Sequence, residues 1–230
     1  MPLQLVYWDI QGFGCAIRLL LTHLGVEFEE KNPSSWGQYV QWSKEAEAEG
    51  LNFPNLPWIV DGDFRISEST AIYTYILEKY GNPDLIGKTI EDRAIVRLIE
   101  GIGLDLKQEL FIQIFKGGRK DAFVDLAKKG GKTDQLLKKL SLGLGDKEYF
   151  LGYLTFIDFQ VAFYVWATHH VVGGQGGNSP CLRYPNLMAF YQKIYGLESI
   201  KGYIESPNFK KRPLLHPSMA PWSKYISNEL

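Results

Sequence analysis

Several short patterns in the chain hold residue types that do chemistry elsewhere. Gly12-Phe13-Gly14 lies between two apolar runs, with Glu29 and Glu30 at about the distance of a ribose-binding acid, the outline of a dinucleotide site. Ile17 stands where the third glycine belongs, and a single strand–helix–strand unit is available, so the pair reads as a tight turn. Gly-Lys-Thr, the end of a phosphate-cradling loop, begins at Gly87 and again at Gly131. The earlier glycine is missing in both, replaced by Asn82 and Leu126, which leaves surface turns. His169-His170 has no further His, Cys or carboxylate at ligand spacing on its helix, so no metal is expected. Cys15 sits at a helix start, where a thiol pKa can fall, but no Cys-x-x-Cys accompanies it. Neither paired carboxylates nor a nucleophile elbow is present. These patterns supply no self-contained catalytic constellation.

Composition narrows the class. The chain has 230 residues, enough for one large domain or two small ones, and 45% of them are hydrophobic. Twenty-five basic residues against twenty-six acidic ones give a net charge of -1, which implies no nucleic-acid partner. The aromatic share of 14% suits a packed core with an apolar pocket. Two cysteines are too few for a disulfide framework. The longest uncharged stretch, Phe159 to Leu182, contains Gln160, Thr168, His169 and His170 and cannot span a bilayer. Met1-Pro2-Leu3-Gln4 lacks the charge and apolar run of a signal peptide. A soluble, cytoplasmic protein with reduced thiols and no membrane partner is the expectation.

The elements that must position any site follow from periodicity. Leu3, Leu5 and Tyr7 alternate as a strand, Cys15 to Leu24 reads as a helix stopped at Gly25, and Val26 to Lys31 as a second strand parallel to the first. After an irregular stretch, Trp58-Ile59-Val60, Asp61-Gly62-Asp63 and Phe64-Arg65-Ile66 form a hairpin. Ser67 and Ser69 can cap a helix running to about Tyr80. Gly81-Asn82-Pro83-Asp84 reads as a linker. Beyond it the pattern is helical: Ile90 to Phe115; Asp121 to Leu142, bent or interrupted at Gly130-Gly131; a buried helix from Thr155 through Trp166; a loop from Gly173 to Gly177; and Asn186 to Tyr195. The fold class is therefore α/β plus all-α.

Tyr7-Trp8-Asp9-Ile10-x-Gly12, followed by Ala16-Ile17-Arg18-Leu19-Leu20-Leu21, resembles the opening of the cytosolic glutathione transferases, most of all the mu class. Leu51-Asn52-Phe53-Pro54-Asn55-Leu56-Pro57 and Ile66-Ser67-Glu68-Ser69-Thr70-Ala71-Ile72 are similar to that family's third-strand and glutathione-carboxylate segments. Phe150-Leu151-Gly152, Thr155-Phe156-Ile157-Asp158-Phe159, Pro185-Asn186-Leu187 and Met219-Ala220-x-Trp222 continue the likeness in order along almost the whole chain. The resemblance implies a thioredoxin-like, glutathione-binding domain (βαβ-ββα, residues 1–84) and a helical bundle (88–230) supplying much of an electrophile pocket. It also implies that the reactive thiol belongs to glutathione, a co-substrate, with no permanently bound cofactor.

A free thiol, with a pKa of about 8.5, is only a few per cent thiolate at neutral pH, and a hydroxyl donating to the sulfur favours the charged form. The resemblance assigns that hydroxyl to Tyr7. It implies Trp8, Phe13, Trp42 and Lys44 around the glutathione, and Asn55 and Leu56 at its cysteinyl part, Leu56 pairing through its backbone with Pro57 cis. Glu68 and Ser69 would hold the γ-glutamyl end. Asp105 would serve the neighbouring subunit of a homodimer in which Phe53 enters the partner. Ile10, Phe13, Leu104, Gln108, Phe115 and Phe209 are the implied electrophile pocket, mostly apolar, which favours hydrophobic electrophiles and a role in detoxification. The chain departs from the mu pattern in having Glu68 for a glutamine, Ala46 for a lysine with Lys44 displaced, Phe115 for a second tyrosine, and a shorter segment between Lys31 and Trp42. The competing readings are a thiol oxidoreductase working through Cys15 and a non-catalytic binder of hydrophobic ligands.

Overall fold

Among the described residues, all strands fall in the first 82. In this computed structural model, which describes residues 2–115, 120–174 and 179–215, the chain divides into two units, Met1–Asn82 and Pro83–Leu230. In the first, β1 (Leu3–Val6) buries Leu3, Leu5 and Val6, and β2 (Phe28–Lys31) runs parallel to it with Leu3 opposite Phe28 and Val6 opposite Lys31. The crossover between them is α1 (Gly14–His23), buried from Gly14 through Leu21. β3 (Trp58–Asp61) is antiparallel to β1, and β4 (Phe64–Ser67) is antiparallel to β3 across the Gly62-Asp63 turn, giving the order β2-β1-β3-β4. Gly62, at φ 62°, supplies the left-handed backbone that this turn requires.

Two expectations are corrected here. The stretch read as irregular contains α2 (Trp36–Ala48). Ser35 is its N-cap: its Oγ accepts from the Gln38 N–H at 3.2 Å, while Gln38 Oε1 accepts from the Ser34 N–H at 2.7 Å. The helix before the linker, α3 (Ser69–Tyr80), is not capped by a serine side chain. Its N-cap is Glu68, and the Ser67 hydroxyl instead donates to the Phe53 carbonyl at 2.7 Å. α3 is tied to the hairpin through Asp61 Oδ2, which accepts from Tyr75 at 2.8 Å, from Lys79 at 2.7 Å and from Tyr80.

Among its described residues the second unit is helical: α4 (Ile90–Phe115), α5 (Lys120–Ala127), α6 (Lys132–Leu144), α7 (Phe156–Gly174), α8 (Pro185–Tyr195), α9 (Glu198–Glu205) and α10 (Pro207–Lys211), with 3-10 turns at Pro83–Leu85 and Pro180–Arg183. The chain breaks at Gly130-Gly131, where Asp134 Oδ2 accepts from the Gly130 N–H at 2.7 Å; Gly131-Lys132-Thr133 thus opens α6 rather than forming a bare turn. α7 is buried on all sides from Phe156 to Thr168 and packs against α4 and α8, as a helix apolar all round must. It runs two turns past Trp166 because Ala167, Val171 and Val172 are also buried. Its start is fixed by Asp158, which accepts from the Thr155 N–H at 2.7 Å, the Thr155 hydroxyl at 2.9 Å and the Phe150 N–H at 3.1 Å. Burial still pushes the Asp158 carboxyl up to about 6. Residues 175–177 of the expected loop, and Met219, Ala220 and Trp222, lie outside the described residues.

Candidate functional site

Tyr7 continues β1 by one residue: its N–H donates to the Lys31 carbonyl at 3.1 Å, and its carbonyl accepts from Asn32 Nδ2 at 2.8 Å. The side chain is only 4% exposed, so it is not a surface aromatic. Its hydroxyl accepts from the Phe13 N–H at 2.8 Å, and the Arg18 guanidinium lies 5.7 Å from the ring centroid. Burial pushes the Tyr7 hydroxyl up to about 12, outweighing the lowering by the Phe13 N–H and Arg18. At neutral pH the hydroxyl therefore keeps its proton. With one lone pair engaged by Phe13, that proton is free to be donated.

The glycines of Gly12-Phe13-Gly14 belong to this arrangement. A Cβ at Gly12 would lie 2.4 Å from the Tyr7 oxygen, and one at Gly14 would lie 2.6 Å from Tyr7 Cδ1. Gly12 also has φ +38°. The pair is more than a tight turn: it lets backbone close on the tyrosine ring.

Around Tyr7 a single apolar cluster includes Val6, Ile10, Ala46, Leu51, Leu56 and Trp58, with Trp8, Phe13, Tyr39 and Trp42 packed against it. The cluster thus gathers Tyr7, Trp8, Ile10, Phe13, Trp42 and Leu56 from three separate segments: the stretch after β1, α2 and the loop before β3. Trp8 is flanked by α2: Trp36 is stacked with it at 6.5 Å between centroids, and Tyr39 is tilted at 5.7 Å. The sequence reading passed over Trp36; its signal was the Ser35-x-x-Gln38 cap directly before it. Lys44 stands exposed on α2 and is not part of the cluster.

A second group forms where the loop before β3 meets the start of α3. The Leu56–Pro57 peptide is cis. Asn55 Nδ2 donates to Glu68 Oε1 at 3.0 Å, and Ser69 opens the helix beside them, where unpaired N–H groups favour an anion. Phe53 at φ 56° and Glu68 at φ 68° both occupy the left-handed region that side chains avoid, and the Ser67 hydroxyl bond links the two segments.

In the second unit, Leu104, Asp105 and Gln108 lie on α4, with Leu104 half-buried and the other two exposed. Phe209 is fully buried, edge-on to Tyr195 at 6.1 Å and to Tyr203 at 5.6 Å. These contacts set it within the aromatic packing of the second unit. The Phe115 side chain lies outside the described residues.

The thiols are shielded. Cys15 and Cys181 are both fully buried, and burial pushes the Cys181 thiol up to about 12. His170 Nδ1 lies 2.8 Å from the Trp166 carbonyl within α7, and among the described residues no group of three His, Cys, Asp or Glu could hold a metal. No helix among them is long and apolar enough to cross a membrane.

Comparison with known proteins follows the same division. Residues 3–78 match the family model for the glutathione S-transferase N-terminal domain, and residues 105–207 match one for the C-terminal domain. The chain is 35% identical over 231 residues to glutathione S-transferase Mu 1 of Homo sapiens, covering 96% of this chain and 99% of that protein. It is 32% identical over 228 residues to glutathione S-transferase Mu 4 of Mus musculus, with the same coverage of 96% and 99%. In fold it is similar to the crystal structure of the glutathione S-transferase Blo t 8, with a TM-score of 0.80 at 23% identity, covering 94% of this chain and 98% of that one.

Proposed function

The chain belongs to the glutathione S-transferase family, and on that premise we propose that Tyr7 is the residue that activates the thiol. The enzyme is a glutathione transferase, with glutathione as co-substrate. The observation that carries the Tyr7 assignment is its buried, protonated hydroxyl, oriented by the Phe13 N–H at 2.8 Å. Donating to the sulfur, it stabilises the thiolate. The thiolate then forms a bond to an electrophilic carbon as the leaving group departs with its electron pair, or as an adjacent double bond takes up charge and a proton. Tyr7 gives hydrogen-bond stabilisation and ends each cycle unchanged.

The tripeptide lies with its γ-glutamyl end at Glu68 and Ser69. Glu68 faces the ammonium and the start of α3 faces the carboxylate. Asn55 and the Leu56 backbone take the cysteinyl part, and Trp8, Phe13, Trp42 and Lys44 flank the rest. Ile10 and Phe13, apolar and close to Tyr7, support hydrophobic electrophiles as the second substrate and with them a detoxifying role. Phe53, 85% exposed, supports a homodimer in which its ring enters the partner, and Asp105, exposed on α4, serves the neighbouring subunit's glutathione. Burial of Cys15 leaves the disulfide-exchange alternative without an accessible sulfur. The test is retention on immobilised glutathione, followed by conjugation of a chloronitrobenzene; a folded protein that neither binds nor conjugates overturns the reading.

A further inference from the structure

We propose that Arg18, held by Glu30, is a positioning residue for the reaction: it shapes the turn that orients Tyr7 and sets the pH at which bound glutathione ionises. The inference rests on the reading that the Tyr7 hydroxyl serves the glutathione sulfur. Arg18 is fully buried on α1, in the middle of an apolar run. Its Nε donates to Glu30 Oε2 on β2 at 2.8 Å. Nη1 donates to the Ile10 carbonyl at 2.7 Å and, more weakly, to Gln11 at 3.5 Å, while Nη2 donates to the Trp8 carbonyl at 3.3 Å. One guanidinium thus gathers carbonyls of the turn that follows Tyr7. At the end of that turn the Phe13 N–H meets the Tyr7 oxygen.

The same group is a charge beside the ring, 5.7 Å from its centroid. Among the groups around Tyr7, α1 also contributes Cys15, the turn contributes the exposed Asp9, and β2 contributes the exposed Lys31 besides Glu30. β3 presents Trp58, and α2 presents Tyr39 and Trp42. Among the described residues of the first unit Arg18 is therefore the buried cation, and Glu30 is the anion that offsets it. An anion forming at the Tyr7 hydroxyl feels their difference.

Opposite charge changes separate this role from a merely architectural one. The test measures the pH dependence of kcat/KM for conjugation, with thermal unfolding alongside, in full-length Glu30→Gln, Arg18→Met and Tyr7→Phe. Glutamine can still accept from Arg18 Nε but no longer offsets its charge, so Glu30→Gln should move the apparent thiol pKa about half to one unit toward acid. Arg18→Met should move it toward alkali by at least as much. Shifts of opposite sign support the proposal. No shift in Glu30→Gln, or a shift of the same sign in both, overturns it and leaves the pair a structural ion pair. If Arg18→Met does not fold, the direction in Glu30→Gln decides alone. Tyr7→Phe separates the two levels: if it leaves the profile unmoved, the Tyr7 reading falls and this inference with it. If it moves the profile while Glu30→Gln does not, only this inference fails.

Discussion

Replacing Tyr7 by phenylalanine removes two interactions and keeps the ring. The first is the bond accepted from the Phe13 N–H at 2.8 Å. Losing it leaves a backbone donor without its partner, which costs about 1–3 kcal/mol of stability and lowers the melting temperature without abolishing the fold. The second is the bond donated to the thiolate. A hydrogen bond to a charged group is worth about 1.5–3 kcal/mol, and each pKa unit corresponds to about 1.4 kcal/mol, so the bound thiol should ionise one to two units higher. At neutral pH turnover should fall about ten- to a hundredfold and recover toward wild type as the pH is raised past the new pKa. Glutathione affinity should change little, because the contacts at Glu68, Ser69, Asn55 and Leu56 remain. The assay is the pH profile of chloronitrobenzene conjugation, read beside the ultraviolet absorbance of the bound thiolate. Cys15→Ser should leave both readouts near wild type, since that buried sulfur takes no part. Full activity in Tyr7→Phe with an unmoved profile would refute the reasoning.

Gly12→Ala would place a methyl 2.4 Å from the Tyr7 oxygen at φ +38°, so the ring must shift; a loss of about 1–3 kcal/mol in stability and a larger fractional loss of conjugation are expected from melting curves and initial rates. Phe53→Ser removes an aromatic that is 85% exposed in the single chain; sedimentation should show dimer dissociation strengthened by about ten- to a hundredfold, matching about 1.5–3 kcal/mol of burial, and unchanged association would refute the wedge. Burial raises the Asp134 carboxyl, but the Gly130 N–H, the Tyr184 hydroxyl and Arg183 outweigh it and hold it below its ordinary value. Asp134 thus stabilises the fold above about pH 4 and loses that contribution as the pH falls through the lowered folded pKa, so Asp134→Asn should flatten the acid limb of the urea-unfolding midpoint against pH.

The elements were legible where one periodicity dominates. The 26 residues of α4 repeat apolar positions clearly enough to give both ends, and Asp-Gly between apolar runs marks the β3–β4 hairpin. α2 escaped because only Ala46 is buried along it and its outer face is Gln- and Glu-rich; the cap at Ser35 was the readable signal. α9 and α10 are short, and only Ser206-Pro207, where the Ser206 hydroxyl accepts from the Phe209 N–H at 3.2 Å, announces the second. The site was legible mainly by resemblance. What orients Tyr7 is a backbone N–H, the purpose of Gly12 and Gly14 is the room they leave, and Arg18 hides in an apolar helix. None of these leaves a side-chain pattern that spacing alone can reveal.

The burial of Cys15 and Cys181 has a consequence for durability. A transferase concentrates electrophiles beside an activated thiolate, conditions under which any accessible cysteine of its own would be alkylated. The chain has two cysteines, and both are sealed from solvent. Burial also keeps Cys181 protonated, the unreactive form of a thiol. The activated sulfur in the working enzyme is then the one that arrives with glutathione and leaves with the product, while neither of the chain's own buried thiols is presented to an electrophile.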